Sequence, residues 1–513
     1  MPRFKEMPMH PSQVLLFSQS VEEALPTESD VRTFNDVMEC MSYSGIESRC
    51  AEVGCPPYPP KVMVKVLGYA YSKGIRSSRK IEEQLKIDVR FIWLAGGLKP
   101  DHNTLARFRK QNWKELTELF QDSVRVSCEA GLVFLNAVST DGSKIEAAAS
   151  RKRMYSQSRV ERAMAAVEKI LREAEDVDRA EDEQYGSGSG SELPLHLRDA
   201  KERKARLEEI AGRLQESKKK VVVEGEPESR VMMTTGGLRP AYNLQASVDT
   251  EKQIIVAMKL TQSENDHEFL PEMVEEVESN TGLSPDVSLA DTGYGDEKTL
   301  KWIDESGHNA LIPLQEQPQE SKRNDLFASK CFVRAEDRDV LICPAGRELA
   351  YKGDYRMGSG TYKHYAAKGC GSCSFRDECV GKARGSRQIN VSVVEDQRRQ
   401  MKERLESKEG RQLYQLRQES VEPVFGRIKE NRGLRRFLLR GYTGAMAETA
   451  LACMAHNVSK CAASVAARRY MESSCSPLYA LFTLPGNFVR WLNHIIGTPA
   501  LPGISNAVSF GTA

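Results

Sequence analysis

Residues 133–147 read VFLNAVSTDGSKIEA, and the chain changes character there. Upstream, apolar residues recur at helical spacing. Within this stretch they run together from 133 to 140, as in a buried strand, and the run ends on Asp141-Gly142. The strand pattern resumes further on. Leu244, Ala246 and Val248 alternate with Asn243, Gln245, Ser247 and Asp249, a turn at 250–252 follows, and 254–260 is apolar again, which predicts a hairpin. Phe269, Leu270, Met273, Val274 and Val277 share one helical face, and 287–290 is a short strand ending at Asp291. A helix around Leu300, Trp302 and Ile303 precedes a last strand at 310–314. The order strand, hairpin, helix, strand, helix, strand predicts an α/β fold with a mixed sheet flanked by helices.

Working outward, 57–122 reads as a compact helical unit. Pro57–Pro60 leads into an apolar helix over 62–71 that stops at Gly74, and a second helix opens at Ser77-Ser78. Asp101 is placed to cap a third, with Arg107, Arg109 and Lys110 on its exposed side. Short helices with basic residues near a helix start fit a helix-turn-helix-like DNA binder, and equally any small helical domain. Residues 156–220 predict a charged helical hairpin. Its seam is Val160, Met164, Val167 and Leu171 against Leu207, Ile210 and Leu214, with a Gly-Ser linker at 186–191.

The expected division is a helical N-terminal DNA-binding domain (1–130), a catalytic core (131–155 and 229–315) and a helical hairpin insertion (156–228). A cysteine-containing insertion (316–395), C-terminal catalytic helices (396–461) and a tail (462–513) complete it. The 513 residues carry 73 Lys+Arg against 72 Asp+Glu, so net charge names no partner and local clusters matter more. No apolar run approaches the ~20 residues of a membrane helix. The N-terminal stretch lacks a signal-peptide layout. Twelve cysteines are too few for a disulfide scaffold. A cytoplasmic protein with no membrane partner is expected.

Asp141 and Asp291 follow predicted strands, where side chains of α/β sheets face a crevice. Glu422 lies in VEPVFGRIKENRG, and residues 421–441 hold six Lys/Arg against two Glu. Converging carboxylates suit a hard divalent cation, and two such ions can drive phosphodiester displacement. A cationic segment beside them would hold a polyanion's phosphates. Taken singly, most acidic residues only end strands or cap helices. Glu146, Asp249, Asp266 and Asp296 read more readily as turn or cap residues. Cys343, Cys370, Cys373 and Cys379 lie in the insertion with one CxxC spacing, which fits either a structural Zn²⁺ site or four packed thiols; His364 could replace one ligand.

Together YPPKVMVKVLGYAYSKGIRSSRKIE, PDHNTLARFR, DGSKIEA, ADTGY and VEPVFGRIKENRGLRRFLLRG resemble bacterial insertion-sequence DDE transposases, over roughly residues 50–460 and in the expected order. The resemblance implies a ribonuclease H-like catalytic core with Asp141, Asp291 and Glu422 as the triad holding Mg²⁺ (or Mn²⁺), two ions in all. It implies that Lys429, seven residues after Glu422 and on the same helical face, touches DNA near the cut. Tyr414 and Arg417 resemble the family's Tyr-x-x-Arg, although four residues rather than three separate Arg417 from Glu422. Pro423 predicts a helix start or kink. Candidate DNA contacts are Arg76, Arg79, Lys80, Arg107 and Arg109 in the helical unit, and Tyr414, Arg417, Arg427, Arg432, Arg435 and Arg436 near the Glu. Water attack at the element end, then attack of the freed 3′-hydroxyl on target DNA, is the implied reaction. A homodimer or larger synaptic assembly at the bacterial nucleoid would carry it out. The alternatives are a domesticated, non-catalytic DNA-binding protein and a plain metal-dependent nuclease.

Overall fold

A computed structural model describes residues 20–49, 57–185, 195–217, 220–314, 331–335, 337–357, 360–380 and 385–474. The Gly-Ser linker, most of the tail and parts of the cysteine insertion lie outside the described residues.

The N-terminal part is helical: α1 (Val21–Ala24), α2 (Asp30–Glu39), α3 (Ser44–Glu47), α4 (Pro60–Ser72), α5 (Ser78–Ile87), α6 (Val89–Leu94), α7 (His102–Gln111) and α8 (Trp113–Glu129). Asp101 caps α7 as expected, its side chain accepting from Thr104 N at 2.7 Å. Ser77 is the N-cap of α5 but makes no side-chain cap bond. Next come β1 (Val138–Glu146), a small ribbon of β2 (Met154–Ser156) and β3 (Val221–Val223), and between these the hairpin α9 (Gln157–Tyr185) and α10 (Leu195–Ser217). The predicted seam is formed: Val160, Val167, Leu207, Ile210 and Leu214 are all buried.

The main sheet adds β4 (Arg230–Thr234), β5 (Gly237–Asp249), β6 (Ile255–Thr261), β7 (Ser288–Ala290) and β8 (Ala310–Leu311), with α11 (Phe269–Thr281) and α12 (Glu297–Ser306) in the connections. Strand β5 is antiparallel to β1, β4 and β6, whereas β1, β7 and β8 run parallel. The strand β1 begins later than the apolar run suggested and continues past Asp141. Leu135 has φ +60, a left-handed conformation that no ladder accepts, and Asp249 Oδ2 takes both the Phe134 and Leu135 N–H groups at 3.0 Å.

The insertion is a second sheet that sequence patterning did not reveal: β9 (Val333–Arg334), β10 (Val340–Ile342), β11 (Glu348–Met357), β12 (Gly360–Ala367) and β13 (Gln388–Ser392), all antiparallel neighbours in that order. The one-turn α13 (Arg376–Cys379) lies between β12 and β13. Last come α14 (Glu395–Glu406), α15 (Lys408–Gly426), a π-helical turn at Arg427–Asn431 and α16 (Tyr442–Ser474).

Helices α8, α11 and α16 pack on β6, while α15 packs on β1, β5 and β7 and α14 on β8. One apolar cluster runs from Phe34 and Leu67 through Phe120 to Leu244, Val256 and Leu451, so the helical unit and the sheet share a core. Helix α16 joins them, packing on α2, α4 and α8 as well as on β6. Among the described residues no helix is long and apolar enough to cross a membrane.

Candidate active site

The parallel ladder between β1 and β7 pairs Val138 with Ser288, Ser139 with Leu289 and Thr140 with Ala290. Asp141 is the next residue on β1 and Asp291 the first residue after β7, so both stand at the same end of the ladder, where Asp291 acts on the Asp141 charge. Asp141 Oδ1 accepts from Gly142 N at 2.8 Å. Asp291 caps a short 3-10 turn, Thr292–Tyr294, its Oδ1 accepting from Gly293 N at 2.8 Å. Burial pushes the Asp141 carboxyl up to about 6; Arg417 opposes the shift and Asp291 adds to it.

Helix α15 brings the third carboxylate. It is pinned to β1 by Ser420 Oγ, which lies 2.9 Å from Ser139 Oγ with both serines fully buried. Arg417 lies 3.1 Å from Asp141 Oδ2 and 3.7 Å from Glu422 Oε1, bridging β1 to the exposed Glu422. Its Nε is buried with no hydrogen-bond partner among the described residues. Tyr414, one turn earlier, shares this surrounding: burial raises its phenol, Arg417 lowers it, and Asp291, Asp141 and Glu422 raise it further.

Pro423 neither starts nor ends the helix, since α15 runs through it to Gly426. Proline lacks the N–H that would reach the carbonyl of Glu419. That carbonyl instead accepts from Gln253 Nε2 at 2.9 Å, supplied by the β5–β6 turn. The even α-helical spacing from Glu422 to Lys429 also fails, because the π turn begins at Arg427. Lys429 nevertheless lies in the field of Asp141: burial lowers its amine's pKa and Asp141 is the largest opposing influence.

A fourth carboxylate, read from sequence as a turn residue, belongs to this site. Asp266 Oδ1 accepts from Asn243 Nδ2 and Gln245 Nε2, each at 2.7 Å, and its Oδ2 lies 3.6 Å from Lys144 Nζ. Asn243 and Gln245 are fully buried, and Gln245 Oε1 accepts from the Tyr294 hydroxyl, which ties Asp266 to the Asp291 turn. A Cβ on Gly142 would stand 2.1 Å from Asp266 Oδ1, so any side chain there displaces the Asp266 carboxylate. A Cβ on Gly293 would lie 3.5 Å from Asp266 Oδ2. Asp266 has no strand-end or motif signal. Its one trace in sequence is the glycine next to each of the other loops.

The expected DNA contacts divide. Arg79, Lys80 and Arg107 are exposed on α5 and α7, and Arg427 is exposed after α15. Arg76, Arg109 and Arg432 are not surface residues, which corrects their assignment. Arg76 donates to Glu448 Oε2 at 2.9 Å and to the carbonyls of Gly433 and Arg436. Arg109, 1% exposed, donates to Tyr71 Oη, Arg76 O and Ser78 Oγ. Arg432 is buried and bonds Ala452 O at 3.0 Å. Arg436 is spent on the carbonyls of Ala147 and Ala148 beyond β1, and Arg435 pairs with Glu430 at 2.5 Å. Four of the insertion's five cysteines, Cys343, Cys370, Cys373 and Cys379, line one small cavity that none of these carboxylates borders. Among the described residues, no three His, Cys, Asp or Glu side chains stand at ligand distances around one point.

A carboxylate cluster on a mixed sheet, beside buried and exposed cations, defines the class of site. Known proteins narrow it. Residues 342–462 match the family described as "Transposase DDE domain", and residues 19–111 match "Transposase domain (DUF772)". Both matches are to transposase families, as the resemblance implied, and together they span less than half of the chain. No curated protein matches the chain. One solved structure, the cryo-EM structure of a piggyBac transposase synaptic complex with hairpin DNA, aligns over 94% of this chain and 87% of that chain. Its identity is 9% and its TM-score 0.25, so it bears on neither fold nor function here.

Proposed function

We propose that this transposase cuts DNA at the ends of an insertion sequence and joins them to target DNA at the site built by Asp141, Asp291 and Glu422. The observation that carries the reading is the ladder end that Asp141 and Asp291 share, with α15 fastened there through Ser420 and Arg417. The sheet order β6-β5-β1-β7-β8, antiparallel through β1 and parallel beyond it, supports a ribonuclease H-like core.

The residues present fit divalent cations. The donors are all carboxylate oxygens, as Mg²⁺ or Mn²⁺ prefers, and the guanidinium bridging Asp141 and Glu422 shows a positive charge accommodated between them. Asp141, Asp291 and Glu422 would hold the ions, two in number, which when bound activate the attacking oxygen and stabilise the leaving one. Asp266 fixes Asn243 and Gln245 and keeps the two aspartate loops in register. Arg417, buried like Arg76 and Arg432, would position Asp141 and Glu422 rather than touch DNA, and Lys429 would contact DNA beside the cut. Arg79, Lys80 and Arg107 would contribute to recognition of the element end, and Arg427 to the DNA track near Glu422. Two ends must be brought together, so a dimer or larger assembly acts at the nucleoid.

The test is incubation of the chain with DNA carrying the ends of its own element, with Mg²⁺ and, in parallel, chelator. Cleaved and joined products that disappear with Asp291→Ala support the reading. Tight binding without cleavage, or cleavage that survives the substitution, contradicts it.

A further inference from the structure

The insertion sheet β9–β13 poses a stability problem that the catalytic reading leaves untouched. Its buried cluster is small, comprising Phe332, Leu341, Leu349, Tyr365, Ala367, Cys370 and Ile389, and much of β11 is exposed. Units with so little core commonly need a staple of metal or disulfide.

Cys343, Cys370, Cys373 and Cys379 come from three separate places: the turn after β10, the 3-10 turn after β12, and the end of α13. All four line one cavity of about 20 Å³, the size of a single atom's site. The loops around it are shaped for sulfur ligation. Arg347 N donates to Cys343 Sγ at 3.3 Å and Arg387 N donates to Cys370 Sγ at 3.4 Å, contacts that stabilise negative sulfur. Gly346, at φ +74, closes the first turn through its N–H to Cys343 O at 2.8 Å. Arg347 ties that turn to the second through the carbonyls of Gly369 and Ser372.

We propose that Cys343, Cys370, Cys373 and Cys379 bind one structural Zn²⁺ that staples the insertion sheet. Four thiolates around a small cavity suit the tetrahedral, sulfur-rich coordination of closed zinc sites. The sulfurs close inward across the cavity on binding, each thiol giving up its proton. Four thiolates and Zn²⁺ leave a charge of −2, and Arg347, Arg376 and Arg387 line the same wall to offset it.

The proposal does not depend on the catalytic reading, and its test uses no DNA. The purified full chain is analysed for metals, then stripped and titrated with Co²⁺. About one zinc per chain, and the visible and charge-transfer bands of tetrahedral, sulfur-ligated Co²⁺, are expected. The double substitution Cys370→Ser/Cys373→Ser loses the metal, while Cys40→Ser, on α2's C-cap, keeps it. Absence of stoichiometric zinc together with an octahedral Co²⁺ spectrum in the unsubstituted chain overturns the site, and so does full zinc content in the double variant. The Co²⁺ titration of the unsubstituted chain holds the test open if the variant does not fold.

Discussion

Asp141 carries the clearest consequence of the site's construction. Its carboxyl is 18% exposed, stands at the same ladder end as Asp291 and has been pushed up to about 6 from 3.8. A carboxyl whose folded pKa is raised favours the folded state while it is protonated. That contribution is complete below about 3.8 and is lost as pH rises through about 6. In chelator, Asp141→Asn should therefore be more stable than the unsubstituted chain at pH 7.5, by on the order of 2 kcal/mol. The difference should shrink towards pH 4, and Mg²⁺ should stabilise the unsubstituted chain alone. Denaturant melts at the two pH values check this; equal stability throughout would mean that Arg417 already neutralises the carboxylate. At the same scale, Gly142→Ala should abolish cleavage, because its Cβ and the Asp266 carboxylate cannot share the 2.1 Å between them. An active alanine variant would remove Asp266 from the site.

Among elements, α15 shows how a proline is kept inside a helix that bears a functional carboxylate. Gln253, itself at φ +57, reaches from the β5–β6 turn to the Glu419 carbonyl that Pro423 leaves without a donor. Gln253→Ala strands that carbonyl and should cost ~1–3 kcal/mol. Pro423→Ala returns the N–H, so the double substitution should be less destabilised than Gln253→Ala alone; additive losses in thermal melts would refute the coupling. The elements legible in sequence were those with a clear period: the α9–α10 seam, the β5–β6 hairpin, α11 and the capped α7. The strands β9–β13 were not, because β9 and β11 are largely exposed and a half-solvated polar strand leaves little alternation. Asp141 and Asp291 were legible as the ends of apolar runs. Asp266 was not, because only the tertiary approach of Gly142 and Gly293 places it.

On the scale of the whole molecule, the helical N-terminal region and the sheet are welded rather than tethered. The Arg76–Glu448 pair lies within 8% exposure on both sides and joins residues 372 apart in sequence, with Glu448 also taking the Leu438 and Leu439 N–H groups at 2.7 and 2.6 Å. Basic residues near a helix start cannot be sorted by local pattern into DNA contacts and buried struts, since the distant partner decides. Arg107 and Arg109 make the contrast testable. Arg109→Ala should lower stability by roughly 3 kcal/mol or more, since it leaves buried partners unpaired. Arg107→Ala should leave the melt unchanged while weakening DNA binding and flattening its salt dependence by about one ion. Filter binding over a salt series, beside thermal melts, separates them; the reverse pattern would undo the assignment of surface and core.

The most direct test of the central claim is the yield of cleaved element ends in Mg²⁺ from Asp141→Asn, Glu422→Gln and Glu430→Gln, each verified as folded. Glu430 is exposed and paired with Arg435, on the π turn beyond the site. The carboxylate site predicts that the first two lose cleavage by at least a hundredfold, about 3 kcal/mol or more in the barrier, while Glu430→Gln stays near the unsubstituted rate. Retained cleavage in either Asp141→Asn or Glu422→Gln would contradict it.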